Sequence, residues 1–114
     1  MSVNQTKIID LIGIEKSTGH AVLTIADHRD WKNVQQHLCL LQAKINSYLA
    51  FVESEEIFEC YPDARGRQIV ISVTFQFAPP PEGLSFLLNA KLTIEAAGFG
   101  FRFEVLDEQS SHST

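Results

Sequence analysis

The residues best equipped for chemistry sit in the run "ADHRDWKNVQQH", where Asp27, His28, Asp30 and His37 fall within eleven positions. Imidazole and carboxylate can share a metal ion or pass a proton if they converge on one point. The spacing argues against convergence. Neighbouring strand residues point to opposite faces, so Asp27 and His28 diverge if a strand reaches them. A helix starting near Trp31 would place His37 two turns further on, roughly 10 Å from its cap. Asp27 or Asp30 is then expected to cap that helix, with His28 in the adjoining loop. No H-E-x-x-H spacing and no C-x-x-C pair occurs, so neither a metal nor another cofactor is expected. A small enzyme or metal-binding protein using Asp27, His28, Asp30 and His37 stands as the alternative reading.

The two cysteines offer less. Cys39 lies two residues from His37, about 200° round a helix, so it cannot use that imidazole as a base. Cys60 has no histidine near it in sequence, and both read as structural thiols. The chain starts "MSVNQTKII", without the basic region and apolar run of a signal peptide, and nothing approaches the ~18 apolar residues of a membrane span. A reduced, cytoplasmic protein with no membrane partner is expected. The net charge is -5, and the nine basic residues are scattered, which excludes nucleic acid as the main partner.

Acidic residues, by contrast, cluster. "ESEEIFECYPD" carries Glu53, Glu55, Glu56, Glu59 and Asp63 in eleven positions. One reading is a solvated loop. The other is an electrostatic landing site for a basic protein partner, fast to associate and weakened by salt. Arg65 and Arg67 follow directly and are expected to neutralise part of the charge.

The elements that must position these groups follow from periodicity. "KIIDLIGIE" and "HAVLTIADH" are Ile-, Val- and Leu-rich runs joined by "KSTG", whose glycine suits a tight turn, and should pair as a hairpin. Trp31, Val34, Leu38, Leu41, Ile45, Tyr48 and Val52 then form a stripe at helical spacing. The pattern fails from Ser54 to Gly66. "QIVISVTFQF" alternates as a half-buried strand, "APPPEG" ends it, and Pro81 opens a second helix that Gly98 closes. Phe99, Phe101, Phe103 and Val105 alternate in a last strand and read as core, not as a base-stacking platform. The expectation is one domain over residues 1–114, with an ordered core of about 7–106 and a flexible tail at 107–114. Its class is α+β, a two-layer sandwich of ββαβαβ order with two helices on one face of a four-stranded sheet. Strand order is not legible.

Two features bear on contact. Leu40 and Phe51 fall nearly opposite the main stripe of the first helix. Leu84, Leu88 and Leu92 form a second apolar face on the second helix, apart from the face of Phe86, Leu87, Ala90, Ile94 and Ala97. Such doubling fits either a wedged helix or a subunit interface. It makes a homodimer the expected partner state, since twofold homodimers are the commonest oligomers.

The segments "DHRDW", "LLQAKINSYLAFVES", "YPDARGR" and "AAGFGFRFEV" resemble a family of small bacterial proteins of unknown function. "LLQAKINSYL", Leu40 to Leu49, is the most distinctive part. The resemblance covers nearly the whole chain and implies a cytoplasmic bacterial α+β domain, with no catalytic or binding residue carried over. The expected function is a non-enzymatic protein-interaction module.

Overall fold

Alternating Ile, Val and Leu produce a mixed sheet that turns one apolar face toward two helices. The structure, a computed structural model, describes residues 11–106. Strand β1 (Leu11–Ile14) pairs antiparallel with β2 (Ala21–Asp27), and β2, β3 (Ile69–Phe75) and β4 (Gly100–Val105) run parallel in the order β1-β2-β3-β4. Helix α1 (Val34–Glu53) connects β2 to β3, and α3 (Pro81–Ala96) connects β3 to β4. Between α1 and β3 lie the short helix α2 (Glu56–Cys60) and a 3-10 turn at Pro62–Ala64. The expected ββαβαβ order therefore stands, with one helical turn added. Residues 7–10 of the expected first strand and the tail at 107–114 lie outside the described residues.

The core forms between that sheet face and the helices. Leu23, Ile25, Ile71, Val73 and Phe75 meet Leu41, Ile45, Tyr48 and Val52 of α1 and Leu87 and Ile94 of α3. The Tyr48 hydroxyl is satisfied by donating to the Thr24 carbonyl oxygen at 3.3 Å. Helix α2 and the turn after it bury only Ile57 and Ala64, so the run from Ser54 to Gly66 carries no periodic apolar signal to read.

Strand β3 departs from the half-buried expectation, because Val70 and Ser72 on its other face are also buried. Two features account for this. Gly100 is the register partner of Val70, and a Cβ there would come within 3.0 Å of Val70 Cγ2. Arg102 on β4 reaches Glu15, just beyond β1, with a paired contact at 3.3 and 3.1 Å. The pair joins the two outer strands across the face on which Val70 and Ser72 lie. The Glu15 carboxyl is held below the usual carboxylate range, first by the Arg102 hydrogen bonds and then by the Thr18 hydroxyl.

The helix ends are set by local chemistry. Helix α1 starts later than expected, at Val34, and Asn33 caps it: its Oδ1 accepts from the Gln36 amide at 3.1 Å. Asp27 and Asp30 are thus not its caps. Pro81 opens α3 as expected. At the other end Gly98 sits at φ 97°, so that Phe99 N donates to Ile94 O and Gly98 N to Glu95 O. That pair of bonds satisfies the last carbonyls of the helix. Among the described residues no helix is long and apolar enough to cross a membrane.

Candidate functional site

Parallel strands β2 and β3 end side by side, with Asp27 opposite Phe75. The loop 28–33 leaves this carboxyl edge, a common place for sites in sheets with crossover helices. Its geometry reverses the expectation drawn from spacing. Because α1 starts at Val34, His37 lies in its first turn, and its backbone amide makes the Asn33 bond that opens the helix. The loop folds back, and His37 Nε2 lies 2.6 Å from Asp27 Oδ2. Both residues are buried, at 3% and 8% exposure. His28 points the other way, exposed, its Nδ1 3.2 Å from Gln76 Oε1. Asp27 and His28 therefore diverge as expected, whereas Asp27 and His37 meet.

Hydrogen bonding determines how many protons the pair holds. His37 Nδ1 lies 2.9 Å from the Asp30 carbonyl oxygen, which only accepts, so Nδ1 carries a proton. One further proton lies between Nε2 and Oδ2, and imidazole plus carboxylate is neutral overall. This neutrality lets two titratable groups occupy a buried position. It also engages both ring nitrogens, leaving none to take a proton from a substrate. The remaining Asp27 oxygen accepts from the Arg29 amide at 3.0 Å, and Asp30 Oδ1 from the Lys32 amide at 3.1 Å. Every member of the group thus holds the loop.

Trp31 covers the pair. Its ring stacks on His37 at 3.6 Å between centroids and 14° between planes, and lies 5.9 Å from the Phe75 ring. Its Nε1–H donates to the Phe77 carbonyl at 3.0 Å. Gly83 of α3 packs close to it, since a Cβ there would stand 2.9 Å from Pro79 Cβ and 3.3 Å from Trp31 Cη2. Trp31, expected in the helical stripe, instead ties the loop to the start of α3. The only sequence signal for this was an aromatic residue beside a loop rich in polar groups.

Beside the clasp, His28, Arg29, Asp30, Lys32, Asn33, Gln36, His37 and Leu40 line an open pocket of about 320 Å³. Among the described residues no three of His, Cys, Asp and Glu are placed to hold a metal ion. Cys39 and Cys60 are free and exposed.

The proposed contact residues separate into two groups. Leu40, Leu84, Leu88 and Leu92 are exposed at 41%, 42%, 60% and 67%. Phe51 is half-buried and packs against the core, correcting its placement opposite the stripe. Glu53, Glu55, Glu56, Glu59 and Asp63 are all exposed at the far end of α1. Arg65 and Arg67 turn to other partners: Arg65 lies 4.8 Å over the Phe58 ring, and Arg67 donates to the carbonyls of Asp63 and Gly19, both at 2.9 Å.

Over residues 1–107 the chain matches the model of a family of unknown function (DUF6572), and it belongs to that family. No curated protein and no solved structure matches it.

Proposed function

We propose that this member of DUF6572 is a non-enzymatic protein-interaction module that works as a homodimer. The observation that carries the reading is the exposed leucine face of α3. Leu84, Leu88 and Leu92 recur every four residues on a helix whose core-facing side, with Leu87 and Ile94, is buried. Covering what these side chains still expose is worth on the order of 1 kcal/mol each, and a twofold axis doubles the set. Two saturated ring nitrogens on His37 favour this reading over an acid-base or metal role for Asp27, His28, Asp30 and His37. A cytoplasmic setting belongs to the same proposal, supported by the low cysteine content of the chain.

Light scattering on the full chain tests it, with a Leu88→Ser, Leu92→Ser variant alongside. The native protein should give twice the chain mass, and the variant a folded monomer with an unchanged circular dichroism spectrum. A native monomer at micromolar concentration would sink the proposal.

A further inference from the structure

The solvent face of α1 is unusual for an exposed helix. Between Lys32 and Glu53 the only charged residue is Lys44, which is half-buried and already engaged. Ahead of Glu53 the exposed side chains of α1 are all uncharged: Gln35, Gln36 and Gln42 are long, while Ala43, Ser47 and Ala50 are small. Interface cores are depleted of charge in this way, and the small side chains of Ala43, Ser47 and Ala50 let a second helix approach closely at the middle of α1. Beyond the helix ends the charges separate by sign. At the N-terminal end stand Arg29 and Lys32, with no ion pair among the described residues. Asp30 offsets one of them. At the C-terminal end stand Glu53, Glu55, Glu56, Glu59 and Asp63, with Arg65 and Arg67 offsetting two. One end is left positive and the other negative, about 30 Å apart for a helix of 20 residues.

That arrangement complements itself only when reversed. The acidic segment suits a basic partner, and this chain carries its own basic patch a helix length away. The helix dipole points the same way: acidic residues beyond the C-terminus of α1 oppose it within one copy, and an antiparallel partner would bring its positive N-terminus beside them. Helices α1 and α3 side by side present roughly 30 by 20 Å, close to the ~800 Å² per partner that a stable complex buries.

Resting on the homodimer proposed above, we infer that two copies stack through the outer surfaces of α1 and α3, with the two α1 helices antiparallel. A twofold axis passes near Ala43, the midpoint of α1. Arg29 and Lys32 of each copy face Glu55, Glu56 and Glu59 of the other, while the leucine faces of α3 meet alongside.

Charge exchange and crosslinking test this in the full chain. Arg29→Glu with Lys32→Glu, and separately Glu55→Lys, Glu56→Lys and Glu59→Lys, should each raise the dimer dissociation constant about tenfold or more. The two sets combined in one chain should restore it, because the pairs re-form with signs exchanged. With Cys39→Ser and Cys60→Ser as background, Ala43→Cys should oxidise readily to a covalent dimer, while Glu104→Cys on the opposite sheet face should not. A dimer by light scattering with no charge rescue and no Ala43→Cys crosslink would overturn the antiparallel arrangement and leave the homodimer standing. Absence of any dimer would remove both.

Discussion

The two ends of α1 treat charge in opposite ways. At the N-terminal end, Asp27, His37 and the Asp30 backbone are drawn inward, neutralised as a pair and sealed under Trp31. At the C-terminal end, Glu53, Glu55, Glu56 and Glu59 remain in solvent, and Glu55 takes a left-handed conformation at φ 70° with no side-chain hydrogen bond as the cap of α2. The first end holds two elements together. The second ends a helix and keeps its charges available. Clustering of titratable residues is therefore a poor guide to chemistry until it is known whether the groups satisfy one another.

The largest effect should come from breaking the buried end. Asp27→Ala removes the partner of a buried imidazole and the acceptor for the Arg29 amide, and should lower unfolding free energy by ~3–5 kcal/mol in urea denaturation. Asp27→Asn should cost far less, because its amide N–H can donate to Nε2 of neutral His37 while its oxygen still accepts from Arg29. Equal losses for the two variants would refute the hydrogen-bond assignment. At the exposed end the sign inverts: Glu55→Gly relieves the left-handed conformation and should stabilise by about 0.5–1 kcal/mol, read in the same assay. A destabilised variant would mean that Glu55 does more than turn the chain.

The smallest effect separates an engaged surface carboxylate from the free ones. Glu15 titrates lower when folded than when unfolded, so its bridge to Arg102 contributes fully above the unfolded value. That contribution fades as pH falls through the lower folded value. Native protein and Glu15→Gln should differ slightly in melting temperature at neutral pH and converge in acid. A gap that persists unchanged below that range would assign the effect to something other than the bridge.

Several of these features were legible residue by residue. Alternation in "QIVISVTFQF" located β3, Pro81 and Gly98 bounded α3, and the spacing of Leu84, Leu88 and Leu92 marked a face that the core does not use. Helix α1 starts three residues after the point its stripe implies, because Trp31 fits that stripe in type and spacing yet lies in a loop outside the helix. That three-residue offset brings His37 into the first turn and within reach of Asp27, which spacing alone does not show. Phe51 is a related case: at about 80–100° from the stripe's centre, a large ring can still turn inward against the core.

Composition and periodicity settle the class of this chain, its element order and its acid-rich segment, because each is a property of residues near one another in sequence. Strand order, the double burial of Val70 and Ser72, and the pairing of Asp27 with His37 belong to the folded molecule. They depend on how a loop folds back and on which strands become neighbours, distances that a one-dimensional pattern does not contain. Glu15 and Arg102 illustrate the point, joined across the sheet from positions 87 residues apart.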